Sequence, residues 1–196
     1  MVRAILDGRK SCTRRINKDA NDYVVPDMDF FDPEKRTYAV HNYADKEHTD
    51  KLSTAERTCP ICPGDILYIR ETWYKDKYRY MYRANYSDSE KFYRDGKEVK
   101  IKWHPSIHMP KEAARIWLKV TDVRVERLQE ITSEQIYKEG VEVEEPHVLN
   151  GEEKRYAFSS LWNSTVKKSD IDRYGWDASP WVWVIEFERC EKPEGV

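Results

Sequence analysis

Gly8-Arg9-Lys10-Ser11-Cys12-Thr13-Arg14-Arg15 packs four cations, two hydroxyls and a thiol into eight residues. Upstream, Val2, Ala4, Ile5 and Leu6 have the spacing of one or two helical turns. Gly8 supplies a C-cap, so the basic cluster begins at a turn. A lysine crowded by other cations and partly withdrawn from water can act as a base, and a threonine hydroxyl becomes a nucleophile when such a base is in reach. Lys10 and Thr13 are therefore candidate catalytic residues, and Arg9, Arg14 and Arg15 are candidate binders of an anionic or nucleotide substrate. Composition alone also fits a solvated basic face. In a regular strand Lys10 and Thr13 have opposite parity, so one pocket for both requires a bend between them.

Outward from this cluster, periodicity marks the elements. After the Pro63-Gly64 turn, Asp65 to Glu71 alternates as a strand with Leu67 and Ile69 on its buried face and Glu71 emerging at its end. Arg79 to Ala84 reads as its hairpin partner. Ile116, Leu118 and Val120 point one way and Val123 and Val125 the other by parity, which predicts a bulge or barrel corner at Thr121-Asp122. In Trp181 to Glu188, Trp181, Trp183, Ile185 and Phe187 form one apolar face and Val182 and Val184 part of the other, so this strand is central or closes a barrel. Ile131 to Gly140 predicts a compact helix, with Thr132 or Ser133 as N-cap and Gly140 as C-cap. Glu139 sits in its last turn, where the helix dipole disfavours a carboxylate. After an acidic loop at 141–151, Glu152 to Lys168 predicts a second helix with Tyr156, Phe158, Leu161, Trp162 and Thr165 as its core stripe.

Residues 17–60 read as a loop-rich insertion, with a short strand at Tyr38, Val40, His41 and Tyr43 and a helical turn from Ser53 to Arg57. A second polar stretch at about 85–110 holds the hairpin signal Asp95-Gly96, then a rigid loop from Trp103 to Pro110 whose two prolines exclude a helix interior. The fold class is α+β, mainly β: a small β-barrel with flanking helices, one domain over 1–190 and a polar tail at 191–196.

Composition bounds the partners. A net charge of −2 excludes wholesale coating of nucleic acid, so any basic binding surface must be local. The 7 Trp and 13 Tyr suit either a barrel core or base stacking. No apolar run approaches the roughly eighteen residues that span a bilayer and no signal-peptide pattern opens the chain, which predicts a cytoplasmic protein without a membrane partner and with reduced cysteines. Cys59-Pro60-Ile61-Cys62 has the spacing of half a zinc site but no second ligand pair, so it reads alternatively as a turn before Pro63-Gly64-Asp65. His104 and His108 do not share a helical face. No metal and no cofactor are expected.

Four blocks of the chain resemble the ASCH superfamily, small proteins with a PUA-like β-barrel. Ala4-Ile5-Leu6-Asp7-Gly8-Arg9-Lys10, followed by Thr13 and Arg15, resembles the N-terminal signature. Pro63 to Trp73, Trp103 to Pro110 and Gly175 to Glu188 are similar to later blocks of the phage and prophage branch. The resemblance runs from residue 3 to residue 188 in family order and implies the PUA-like fold. One bacterial branch comprises N4-acetylcytidine amidohydrolases, and the resemblance to it implies Lys10 as base, Thr13 as nucleophile and Glu139, on the helix after the long barrel strand, as the catalytic carboxylate. Glu139 and Arg15 would orient the base and stabilise developing charge. Glu71, within Arg70-Glu71-Thr72-Trp73, is either a second carboxylate for the same cleft or a strand-end salt bridge. The expected partner is RNA or a modified nucleoside held in a basic cleft, with hydrolysis of an N4-acylated cytidine as the chemistry. The alternatives are a non-catalytic RNA-binding module of PUA type, its salt-sensitive affinity weakened by Arg14→Ala and Arg15→Ala, and a ribonuclease, for which the five histidines offer no obvious acid and base pair.

Overall fold

The computed structural model describes residues 1–142 and 152–195. The N-terminal half forms α1 (Val2–Leu6), β1 (Cys12–Ile16), β2 (Val24–Asp32), β3 (Thr37–Tyr43), β4 (Lys51–Thr58), β5 (Ile66–Tyr68), β6 (Trp73–Lys75), β7 (Tyr80–Tyr82), β8 (Phe92–Arg94) and β9 (Lys97–Val99). The remainder forms β10 (Trp117–Arg127), α2 (Ser133–Lys138), α3 (Glu152–Thr165), α4 (Ile171–Tyr174) and β11 (Trp181–Cys190). The chain is α+β and mainly β. Its main sheet, antiparallel in the order β1-β11-β10-β5, curls into a half-barrel.

The two-sided apolar pattern of β11 places it inside the sheet, between β1 and β10. Val182 and Val184 pack beneath α2 and α3 with Cys12, Leu128, Ile136, Phe158 and Trp162. Trp183 and Ile185 face the other way, onto Tyr38, Val40, Val120 and Val123. Each of these side chains, fully withdrawn from water, contributes roughly 1.5–3 kcal/mol. In β10, Val120 pairs with Phe187 and Asp122 with Glu186, so Thr121 is the extra residue of a bulge. The bulge reverses the parity that the sequence breaks, and Val120 and Val123 enter one cluster with Trp183 and Ile185.

Residues 17–60 depart from the expected loop-rich insertion: β2, β3 and β4 form a three-stranded antiparallel sheet packed over the Trp183 face. Ser53 to Arg57 is not a helical turn but part of β4, paired to β3 from Tyr43↔Lys51 to Thr37↔Thr58. β4 is an edge strand exposed along nearly its whole length, so no apolar alternation marks it. Lys51, Glu56 and Arg57 guard its open side, and main-chain pairing, which periodicity does not report, holds it in place.

Three smaller corrections follow from local chain reversals. The strand expected over Asp65 to Glu71 shortens to Ile66–Tyr68, although Leu67 and Ile69 do pack on Ile5, Ile116 and Leu118. Glu71 does not emerge but is buried. β7 pairs with β6 and not with the Asp65 strand, because Thr72 turns the chain by accepting a hydrogen bond from the Arg83 N–H. The Asp95-Gly96 hairpin forms between β8 and β9, with φ of 50° and 75°.

The local signals for α2 are realised. Thr132 caps it by accepting from the Gln135 N–H, the Gln135 side chain accepts from the Thr132 N–H, and Gly140 at φ 77° ends it. On α3 only Phe158 and Trp162 are buried; Tyr156, Leu161 and Thr165, expected in the core, are exposed because the helix rests on the sheet along a narrower stripe. The acidic loop expected at 141–151 falls almost wholly on 143–151, outside the described residues, as does Val196 of the tail. Among the described residues no helix is long and apolar enough to cross a membrane.

Candidate functional site

The bend near the basic cluster lies upstream of Lys10, and Lys10 reaches Glu139 from the same side as Arg14, while Thr13 alternates to the other face of β1. Beyond α1, Gly8 adopts φ 73°, and the N–H groups of Arg9 and Lys10 both donate to the Ala4 carbonyl, at 2.8 and 2.9 Å. Lys10 then pairs with Glu139 as an isolated antiparallel bridge, and the Ser11 N–H donates to the Lys138 carbonyl. The chain is thereby tied to the end of α2 before β1 joins the sheet at Cys12. Residues from both faces of this edge strand, Lys10 and Arg14 from one and Thr13 and Arg15 from the other, line one cavity of about 250 Å³ together with Glu139. Its opposite wall is α3, through Phe158, Leu161, Trp162 and Thr165.

The polar wall is an ion-pair network. Lys10 Nζ donates to Glu139 Oε2 at 2.5 Å and to its carbonyl at 2.9 Å, and both side chains are less than a tenth exposed. Arg14, buried, donates from Nη1 to Glu139 Oε1 at 3.3 Å and from Nη2 to Glu126 and Gln135 at 3.2 and 3.0 Å. Glu126 is also held by Arg124, which reaches Asp122 and Glu186. Two cations thus converge on Glu139, which offsets the unfavourable end of the α2 dipole.

Cys12 lies beneath this wall with no exposed surface. Burial, reinforced by the charge of Glu139, pushes its thiol up to about 12, so at neutral pH it is a neutral packing group and not a nucleophile. The Thr13 hydroxyl accepts from Arg15 Nη1 at 3.1 Å, which leaves its own O–H free to donate. Both described hydrogen bonds of Lys10 Nζ go to Glu139 and neither to Thr13.

Of the residues singled out in the sequence, Lys10, Thr13, Arg14, Arg15 and Glu139 converge and two do not. Arg9 pairs with Asp7 and Glu142, at 3.0 and 3.1 Å, away from the cavity. Glu71 forms a two-point pair with Arg115 at 2.7 and 2.9 Å, and that hydrogen bonding raises the Arg115 pKa. Arg115 lies over the Tyr82 ring, and neither residue of the pair lines the cavity.

Phe158 and Trp162 are core, as their spacing reads, but sequence reasoning missed that Leu161 and Thr165 beside them border a cavity, and missed Glu126 and Gln135 as supports of Arg14. The capping-box position of Gln135 was the one visible signal. The Cys59 and Cys62 thiols are buried and donate to the carbonyls of Ile61 and Cys59, at 2.9 and 3.8 Å, which makes the pair a turn feature. Among the described residues no group of three or more His, Cys, Asp or Glu is arranged to hold a metal ion. His104 stacks on Trp73, with ring centroids 4.9 Å apart, and among the described residues no histidine lines the cavity beside Lys10 and Glu139. No family model, curated protein or solved structure matches the chain.

Proposed function

We propose that the chain is an ASCH-type protein with a PUA-like barrel, which binds a nucleoside, or a base within RNA, between β1 and α3 and hydrolyses an N4-acylated cytidine there. The observation that carries this reading is that Lys10, Thr13 and Glu139 line one cavity at the open edge of β1, bordered across from them by α3. For catalysis the proton on Lys10 Nζ passes to Glu139 Oε2, its nearest neighbour. The free amine takes the Thr13 hydroxyl proton as Oγ1 bonds to the acyl carbon, and the guanidinium of Arg15 faces the oxyanion. Collapse breaks the bond to N4, with the proton returning from Lys10 to the departing amine. A water, deprotonated by Lys10 in its turn, then releases the carboxylic acid.

Incubation of the protein with N4-acetylcytidine and a panel of N4-acylated cytosines, resolved by chromatography, tests this directly. The expected result is cytidine from the wild type, reduced at least a hundredfold by Thr13→Ala and by Lys10→Ala in folded protein. A folded wild type that releases nothing from any member of the panel would sink the amidohydrolase reading. One observation favours a second reading, a non-catalytic nucleoside or RNA module: Lys10 is engaged with Glu139 and not with Thr13. That reading predicts salt-dependent RNA affinity without turnover. In either case Arg14, buried and paired, is a positioning residue for Glu139 and not a phosphate contact.

A further inference from the structure

We infer that the ligand is a single-stranded nucleic-acid step of two residues and not a free nucleoside. One base occupies the cavity between β1 and α3, the adjoining phosphodiester lies on Arg15, and the neighbouring residue enters a second cavity next to β1. This inference rests on the nucleobase reading of the first cavity.

The second cavity measures about 290 Å³ and is walled by Ile16, Pro60, Ile61, Val123, Trp183 and Ile185. Arg15 lines both cavities. β1 is an edge strand of the main sheet, so no further strand closes that side of it. The faces of β1 divide accordingly. Cys12 and Arg14 are buried toward α2 and α3, while Thr13 and Arg15 point the opposite way, opposite Ile185 and Trp183 in the register with β11. Arg15 is folded back along the strand, donating from Nη1 to the Arg14 carbonyl at 3.0 Å and to Thr13 Oγ1.

Charge singles out the junction. Of the four cations in the N-terminal cluster, Arg9, Lys10 and Arg14 are each neutralised by carboxylates. Arg15 is exposed and has no ion pair among the described residues. A cation with no ion pair among the described residues, on the rim between two cavities, complements an anionic link between two groups. The second cavity offers aliphatic side chains and the buried Trp183, with no polar side chain except Arg15, so it accepts the face of a base without reading its edges. A long acyl chain would fit the same apolar slot but brings no charge to Arg15. A dinucleotide supplies all three parts in order.

The test is equilibrium binding, independent of turnover, with cytidine, CpU, UpC and dCpdT as probes. The wild type is expected to bind CpU or UpC roughly tenfold more tightly than cytidine, the gain of about one stacked base. The better of the two sets the polarity of the chain across Arg15. A dCpdT affinity equal to that of CpU assigns the site to single strands of either sugar, and a weaker one assigns it to RNA. Arg15→Ala should remove the salt dependence of one phosphate, about 0.7 in the log–log slope. Ile61→Trp fills the slot, and Pro60→Glu, at an exposed position, sets a carboxylate at its mouth. Each should bring dinucleotide affinity down to that of cytidine and leave cytidine binding unchanged. Dinucleotides that bind no better than cytidine, or slot variants that keep the advantage, overturn the inference and leave the nucleoside reading standing. Failure of cytidine and dinucleotides alike to bind overturns both.

Discussion

Gly140 governs the site as firmly as the charged groups do. It holds φ 77°, and a Cβ there would lie 2.9 Å from Ala4 Cβ and 3.0 Å from Lys10 Cβ. An L-residue in the left-handed region costs on the order of 1–2 kcal/mol before any collision is counted. The collisions fall on α1 and on Lys10 itself, and relieving them moves Nζ from Glu139. Gly140→Ala is therefore expected to lower the denaturant midpoint by the equivalent of about 2 kcal/mol and to impair nucleoside binding by more than its loss of stability explains. Wild-type affinity in a Gly140→Ala protein that has lost that stability would show that the Lys10–Glu139 contact tolerates displacement. The same pair explains why a carboxylate stands at the unfavourable end of α2. The sequence exposed the anomaly, but its resolution depended on Arg14 arriving from β1, a contact across more than a hundred residues.

Among the elements, legibility followed the range of the forces involved. α2 was readable because its signals are local, and its cap has a separable cost. Thr132→Ala removes the acceptor for the Gln135 N–H and should lower stability by about 1 kcal/mol in chemical denaturation. Ligand affinity should stay within about twofold, because Glu139 is anchored from the opposite end by Lys10 and Arg14. A parallel loss of binding would mean that the first turn of α2 steers the site. The bulge at Thr121 was equally readable, since a parity break in an apolar strand has few structural solutions. β4 was not, because an exposed edge strand is held by main-chain bonds that any polar sequence can make. The α3 wall failed for a different reason. Phe158 and Trp162 are core as read, but Leu161 and Thr165 have the same spacing whether they meet protein or an open cavity, and only the placement of β1 decides between them. That Arg15 alone of the cluster has no ion pair among the described residues was hidden likewise, because four basic residues within one short stretch look alike until the fold deals out their carboxylates.

At the scale of the whole molecule, the main sheet is covered by helices on one face and by the β2-β3-β4 sheet on the other, and the second cover carries a charged clasp. Arg36, at φ 55° between β2 and β3, makes two hydrogen bonds to Asp65, at 2.7 and 2.8 Å. Asp65 in turn accepts from the Cys62 N–H and lies beside Gly64, whose N–H donates to the Val120 carbonyl at the bulge. The clasp thus joins the added sheet to the corner from which β5 departs. The hydrogen bonds from Arg36 hold the Asp65 carboxyl below its ordinary value of 3.8. A depressed folded-state pKa means that the stabilisation is fully present above the unfolded value and is lost as pH falls through the folded one. Asp65→Asn should therefore destabilise the protein at pH 7, and the gap between variant and wild type should narrow at acid pH, below the ordinary carboxylate value. The effect is small, because the Arg36 side chain is 43% exposed and solvent screens the pair. Paired denaturation curves at pH 7 and at acid pH measure it. An equal gap at both would mean that the carboxylate charge is not the source of the loss, and would leave the two sheets joined by apolar packing around Tyr38 and Trp183 alone.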